Sequence, residues 1–270
     1  MMTFIRTVLL YATAVVATII LGLMVIIAGL FGVEDKPGGI YDKVPRWWSI
    51  WVMRAVGVKI RVHGLENASG ESARIFASNH VSWFDVPALA KVLPRYKFVA
   101  KAELFKVPIF GRAMRSAGMI EIQRENRKAA FGAYEVAAER IRAGNSVVVF
   151  PEGTRGYEYA LRPFKKGPFV LAIAAGVPIV PIIMHGTIEI MRKGSIWAHS
   201  GTIDIHLLEP VSTTSVDYDH REALMQTVRT RMADAMRDLY GVEGLPDNST
   251  SRLPSSAELL SSDVAPTETR

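Results

Sequence analysis

Two absences from this sequence narrow the chemistry that it can carry out. The chain of 270 residues contains no cysteine, which excludes disulfides, thiolate metal sites and cysteine nucleophiles. It also lacks a Gly-x-Ser-x-Gly elbow, the usual setting of a serine nucleophile in one large class of hydrolases. Because no aromatic-basic motif and no helix-turn-helix pattern accompany its positive charge, we expect no nucleic-acid partner.

Charge is missing from one long segment near the start of the chain. Residues 7–33 form a run of 27 residues without a charged side chain. As a helix this run would be about 40 Å long, more than the roughly 30 Å hydrocarbon core of a bilayer. A cleaved signal peptide is the alternative, but its apolar region is usually only about 7–15 residues long. We therefore expect residues 1–43 to form a membrane anchor, either one helix or a re-entrant hairpin broken near Gly22 or Gly29.

The remaining charge is unevenly distributed. The net charge is +6, and residues 245–270 contribute −2, so residues 1–244 carry +8. Such an excess suits an anionic membrane surface or an anionic substrate. Basic residues that follow the apolar run favour a catalytic part on the cytoplasmic side, and we expect a bacterial inner membrane. Residues 244–270 are rich in Ser, Pro, Thr and Asp with few apolar residues, which predicts a disordered tail.

The segment 44–58 is unusually aromatic. It contains Trp47, Trp48 and Trp51, flanked by Arg46 and Arg54. Tryptophan with flanking arginine is typical of the boundary between membrane and water, so we expect an interfacial helix, with an ordinary core helix as the alternative.

Residues 59–243 alternate between strand-like and helical patterns. This alternation predicts an α/β domain whose mixed, largely parallel sheet is flanked by helices. The strand-like runs are 59–63, 74–78, 96–100, 118–123, 146–150, 179–184 and 202–208, and the clearest helical patterns are 126–142, about 166–175, and 219–240.

The stretch Asn79-His80-Val81-Ser82-Trp83-Phe84-Asp85 holds the most informative pair of side chains. Five residues along a straight helix place His80 and Asp85 roughly 140° apart, so they meet only if the chain turns between them. Asp85-Val86-Pro87 is a turn signal, since Asp is a good N-cap and Pro is tolerated in a first helical turn. A neutral imidazole beside a carboxylate is a common general base.

Three more motifs, at residues 118–124, 150–156 and 177–182, lie at predicted strands, near whose ends α/β sheets bind ligands. Arginine suits phosphate capture, and glycine lets the backbone approach an anion closely. Taken alone, each motif also fits an ordinary surface arginine, turn or buried strand. In sequence order with residues 79–85, the four blocks resemble the signature blocks of the glycerolipid acyltransferases, most closely the 1-acyl-glycerol-3-phosphate acyltransferases. The resemblance covers roughly residues 44–210 and is looser in the second block, where Gln123 replaces the more usual Asp.

The resemblance implies roles for individual residues. It implies that His80 is the general base that deprotonates an acceptor hydroxyl, and that Asp85 orients it. It implies transfer from acyl-CoA or acyl-carrier protein to the sn-2 hydroxyl of lysophosphatidic acid, giving phosphatidic acid, at a membrane and without metal or cofactor. The expected substrate-binding residues are Arg124, Glu152, Gly153, Arg155 and Lys101, and the expected supporting residues are Asn79, Ser82 and Lys166.

Four alternatives remain open at this point. The same chemistry could act on another lysolipid, such as a lyso-ornithine lipid. Ser82 lies two residues from His80 and could form an acyl-enzyme. A hydrolase would admit water where the acceptor hydroxyl should sit, and a non-catalytic membrane protein could use the basic cleft only to bind a lipid or an acyl carrier.

Overall fold

The structure, a computed structural model, describes residues 1–70, 72–123 and 127–243, with only the backbone for residues 127–131. The predicted tail at 244–270 and Arg124 therefore lie outside the described residues. The helices are α1 (Met2–Leu30), α2 (Ile40–Val56), α3 (Asp85–Val92), α4 (Phe110–Ser116), α5 (Arg127–Arg142), α6 (Gly167–Ala175), α7 (Thr187–Ile190) and α8 (Arg221–Tyr240).

A seven-stranded sheet forms the centre of the described part of the chain. Its strands are β1 (Lys59–His63), β2 (Ile75–Ser78), β3 (Tyr96–Lys101), β4 (Ile120–Ile122), β5 (Ser146–Val149), β6 (Ile179–His185) and β7 (Thr202–Leu207). The spatial order is β1-β7-β6-β2-β5-β3-β4, and only β6 and β7 pair antiparallel. All seven predicted strands and the largely parallel α/β class are confirmed. The central strands β2, β5 and β6 are buried on both faces, as a parallel sheet covered by helices requires.

Helix α1 runs unbroken through both glycines at which a hairpin break was considered. A Cβ atom at Gly22 would lie 3.0 Å from Ile109 Cγ2, and one at Gly29 would lie 3.4 Å from Ser116 Oγ. The glycines therefore let α1 pack closely against α4 and the loop before it, as small residues do between helices. Ile109 is held at φ +60°, a costly conformation for a β-branched residue, and its side chain fits against Gly22.

One face of α1 contacts the rest of the protein over much of its length. The backbone N–H of Ala198 donates to Thr7 Oγ1 at 3.0 Å, and Trp48 Nε1 donates to Thr18 Oγ1 at 3.0 Å. The other face carries exposed apolar side chains. Among the described residues, α1 alone is long and apolar enough to cross a membrane, with 29 residues and a mean hydropathy of 2.6.

Helix α2 presents only two of its three tryptophans to the outside. Trp47 and Trp51 are each 39% exposed, consistent with an interfacial helix. Trp48 instead points inward between α1 and α3, where its ring meets that of Trp83 edge-on at 5.8 Å. Trp48 differs from its two neighbours because successive residues on a helix face different directions. The helix begins at Ile40, so the predicted boundary between residues 43 and 44 falls inside it.

A buried ion pair ties the loop between α1 and α2 to the sheet. Lys97 of β3 is fully buried, and its Nζ lies 2.9 Å from Asp35 Oδ2 in that loop. Arg95 Nη2 also donates to the backbone oxygen of Asp35 at 3.0 Å. Because a buried ammonium needs a counter-charge, Asp35 fixes the turn between the two apolar helices against the start of β3.

We expect Asp35→Asn to lower the free energy of unfolding by about 3 kcal/mol, because it leaves the Lys97 ammonium buried without a negative partner. This corresponds to a decrease in Tm of roughly 6–12 °C, measured by thermal unfolding in detergent micelles. Glu34→Gln is the matched control, since the ion pair of Glu34 with Lys36 is largely exposed and should contribute little. Equal Tm values for the two variants would contradict this account.

Candidate active site

The carboxyl ends of the parallel central strands bring the sequence motifs together. The loop 79–84 follows β2, the loop 150–166 follows β5, and Lys101 ends β3. These three strands are neighbours and parallel, so both loops and Lys101 lie at one edge of the sheet. Residues 179–182 of the fourth block form the first part of β6, which pairs with β2 in the core of the sheet.

His80 and Asp85 form a direct hydrogen bond in which His80 Nδ1 lies 2.7 Å from Asp85 Oδ2. The same carboxylate oxygen accepts the backbone N–H groups of Val81 and Ser82, at 2.7 and 2.8 Å. Asp85 is the first residue of α3 rather than the N-cap that the sequence suggested, and its side chain turns back over the preceding loop. The carboxylate is fully buried, and the three donors compensate for lost hydration at Oδ2 only, because Oδ1 has no hydrogen-bond partner among the described residues.

The His80 ring is oriented from two directions. One face stacks on Phe150, with ring centroids 4.0 Å apart, while Asp85 holds Nδ1. An ionised carboxylate only accepts hydrogen bonds, so Nδ1 carries the proton and Nε2 is the basic nitrogen. The His80 side chain is 13% exposed and borders a cavity, and Nε2 has no hydrogen-bond partner among the described residues.

Glu152 holds the loop 79–84 by accepting a hydrogen bond from its backbone. Its Oε1 accepts the backbone N–H of His80 at 2.9 Å, and its Oε2 accepts that of Arg162 at 3.3 Å. Gly156 N–H donates to the backbone oxygen of His80 at 2.7 Å. The Glu152 residue is only 3% exposed, and this burial raises the pKa of its carboxyl to about 7. Despite this burial, each carboxylate oxygen of Glu152 accepts a hydrogen bond from a backbone N–H group, of His80 and of Arg162 respectively.

Asn79 and Ser82 are bound to backbone groups of neighbouring segments. The Asn79 side chain donates to the backbone oxygen of Met184 at 3.0 Å and accepts its N–H at 2.8 Å. Ser82 Oγ donates to the backbone oxygen of Met191 at 2.7 Å and is fully buried. Because the Ser82 hydroxyl points away from the cavity, the geometry does not support it as a nucleophile.

Three of the expected substrate-binding residues reach the cavity beside His80, whereas the expected supporting residue Lys166 does not. Lys101, Gly153 and Arg155 border the same cavity as His80. Gly153 has φ +77°, a left-handed conformation that favours glycine at this turn. Lys166 does not reach the cavity, because it forms an ion pair with Glu222 at the start of α8.

The cavity has a volume of about 590 Å³ and extends from His80 between the two apolar helices and the domain. The sequence did not predict which helical side chains line this cavity, because no local pattern marks side chains that face one cavity from separate helices. The mostly apolar lining includes Leu21 and Val25 of α1, Val44 and Trp48 of α2, Ala90 of α3 and Met114 of α4. Its size and lining suit a long apolar chain that ends beside the histidine.

The raised pKa of Glu152 gives a testable dependence of stability on pH. The folded protein retains this proton to about pH 7, whereas the unfolded chain releases it near 4.5, so stability falls as pH rises across that interval. Glu152→Gln removes this titration. We expect the Tm of wild type, relative to Glu152→Gln, to fall by on the order of 5 °C between pH 4.5 and pH 7.5. A difference in Tm that does not change with pH would contradict the assignment.

The chain is similar in sequence to known acyltransferases. Residues 59–185 match the Acyltransferase family. A chloroplast 1-acyl-sn-glycerol-3-phosphate acyltransferase of Brassica napus is 34% identical over 66% of this chain and 51% of its own length. The alpha 1-acyl-sn-glycerol-3-phosphate acyltransferase of Homo sapiens is 33% identical over 73% of this chain and 70% of its own. The chain thus spans about half the length of the Brassica napus relative and 70% of the length of the human one.

The fold has a counterpart among solved structures. The crystal structure of the 1-acyl-sn-glycerophosphate (LPA) acyltransferase PlsC from Thermotoga maritima superposes with a TM-score of 0.76 at 24% identity. The match covers 90% of this chain and 98% of that one, so the shared architecture extends beyond the residues 59–185 of the family match. Together with the identity to the human relative over most of its length, these findings show that the chain belongs to the 1-acyl-sn-glycerol-3-phosphate acyltransferase family.

Proposed function

We propose that this protein transfers an acyl chain from acyl-CoA or acyl-carrier protein to the sn-2 hydroxyl of lysophosphatidic acid, producing phosphatidic acid. The observation that carries the proposal is the His80–Asp85 pair at one end of an apolar cavity built partly from α1 and α2. A base at the end of a chain-sized apolar cavity suits a reaction whose substrates are a hydroxyl group and a fatty acyl thioester.

In the proposed reaction, His80 Nε2 removes the proton from the acceptor hydroxyl as its oxygen bonds to the thioester carbonyl carbon. The carbon–sulfur bond then breaks, and the departing thiolate takes the proton back from the imidazolium. Asp85 holds Nδ1–H and stabilises the positive charge that the ring carries between these steps. No group in the protein is consumed, and Ser82 takes no part.

The substrates are placed by the two kinds of surface around His80. The acyl chain occupies the apolar cavity, where burial of each CH₂ group contributes about 0.8 kcal/mol. The phosphate of the acceptor lies near Arg155 and Lys101 at the cavity edge, with Gly153 allowing close backbone approach. We retain Arg124 as a further phosphate ligand, and we assign Glu152 to positioning the His80 backbone rather than to direct substrate contact.

The proposal includes contact with a membrane, because the acceptor and the product are both lipids. The exposed apolar face of α1, together with Trp47 and Trp51 of α2, contacts the bilayer. The cavity between these helices and the domain then receives lipid directly from the membrane. We place the protein at a bacterial inner membrane with the catalytic domain on the cytoplasmic side.

Purified protein in detergent micelles tests this proposal directly. Acyl-CoA or acyl-carrier protein is combined with lysophosphatidic acid, with lyso-ornithine lipid or with no acceptor, and lipid products and thioester loss are measured. We expect wild type to form phosphatidic acid, and His80→Ala to form it about 10²–10⁴-fold more slowly, because a positioned base is lost.

Each competing function predicts a different result in the same experiment. Transfer only to the ornithine lipid would overturn the proposed acceptor while leaving His80 as the base. Thioester loss without an acceptor would indicate a hydrolase. Lipid binding without turnover in any combination would indicate a binding protein, and full activity of folded His80→Ala would remove its catalytic role.

A further inference from the structure

A second pocket, of about 370 Å³, lies beside the catalytic cavity and shares Thr154 with it. Its other lining side chains include Tyr157, Glu158, Arg162 and Lys193. The loop after β5 and the segment after α7 form it, and none of its lining residues belongs to the apolar helices α1 or α2. The pocket thus carries charged side chains and lies apart from the two helices that we propose contact the membrane.

Neither cation of this pocket forms a direct ion pair with a carboxylate among the described residues, although the buried Glu152 is near enough to Arg162 to interact with it electrostatically. Lys193 Nζ donates to the backbone oxygen of Arg155 at 2.7 Å and lies 4.2 Å from the ring centroid of Tyr157. Arg162 Nη1 makes only a long contact of 3.5 Å with the backbone oxygen of Thr154. Both side chains are half-buried, and Glu158 is the one acidic side chain that also lines the pocket. The pocket thus keeps a net positive charge that suits an anion.

The walls of the pocket are held in place by hydrogen bonds from outside it. The backbone N–H of Arg162 donates to Glu152, which also holds the His80 loop. Tyr159 donates its hydroxyl hydrogen to Glu189 at 2.6 Å and accepts the backbone N–H of Gly186 at 2.7 Å. The loop that carries Arg162 is therefore fixed relative to the catalytic histidine, so a ligand in this pocket would be positioned relative to His80.

We infer that this pocket binds the phosphate of the phosphopantetheine arm of the acyl donor. The inference rests on the proposed function, in which the donor is a thioester. The acceptor is a lipid and reaches His80 from the side of α1 and α2, whereas the donor headgroup is water-soluble and needs a polar site. Acyl-CoA and acyl-carrier protein share this phosphate, so the same two cations serve either donor. Arg162 supplies a planar fork for phosphate oxygens, and Lys193 adds a second charge.

The test compares donors with and without the phosphate. Initial rates are measured with acyl-CoA, acyl-carrier protein, acyl-phosphopantetheine and acyl-pantetheine, each at saturating lysophosphatidic acid. We expect Arg162→Gln and Lys193→Gln each to raise KM by about tenfold or more for the three phosphate-bearing donors, since each loses one charged hydrogen bond. KM for acyl-pantetheine should not change, and Arg231→Gln, an exposed charge on α8, should change none of the values.

The possible outcomes separate failure of this inference from failure of the proposed function. An inactive wild-type protein would overturn the proposed function itself. An active wild type that uses acyl-phosphopantetheine no better than acyl-pantetheine would overturn the phosphate site alone, and so would a rise in KM only for lysophosphatidic acid. If Lys193→Gln lowers Tm, Lys193→Arg keeps the charge and should restore the donor KM. If the Arg162 and Lys193 variants raise KM for acyl-CoA but not for acyl-carrier protein, the ligand of this pocket is not the phosphopantetheine arm that the two donors share.

Discussion

The active site depends on the buried carboxylate of Asp85. One oxygen of this group accepts hydrogen bonds from His80 Nδ1 and from two backbone N–H groups, so a single charge fixes both the tautomer of His80, the proposed base, and the path of its loop. Removing a carboxylate from water is costly, and the cost is offset only if the donors around it are placed correctly. Glu152 repeats the arrangement one strand away, where it holds His80 through its backbone. Two buried carboxyl groups therefore fix the position of His80, Asp85 through its ring and Glu152 through its backbone.

Helices α1 and α2 have a second part in the structure besides the membrane contact that we propose for them. The inner faces of α1 and α2 form one wall of the cavity that ends at His80, and Trp48 packs against Trp83 within the His80–Asp85 loop. The Asp35–Lys97 ion pair holds the turn between these helices against β3. The positions of α1 and α2 and the position of His80 are thus coupled through side-chain packing and one buried ion pair.

The sequence was sufficient to predict the sheet and the contact between His80 and Asp85, but not the directions of many side chains. Strand-forming runs are local, so all seven strands were predicted, and the turn signal at residues 85–87 brought His80 to Asp85. Ser82 and Lys166 have suitable chemistry, yet one is bound to the backbone of Met191 and the other pairs with Glu222. Such contacts join segments far apart in sequence, and no local pattern reports them. The cavity was missed for the same reason, since helices from separate parts of the chain enclose it.

The most direct test of the central claim is the kcat of Asp85→Asn for phosphatidic acid formation from lysophosphatidic acid and an acyl thioester. The amide keeps the shape of the carboxylate but loses its charge, and it offers a single acceptor oxygen. The account predicts a kcat lower by about 10²–10⁴-fold in protein whose thermal unfolding shows it to be folded. A folded Asp85→Asn protein with a kcat near that of wild type would contradict the claim that this carboxylate makes His80 the base.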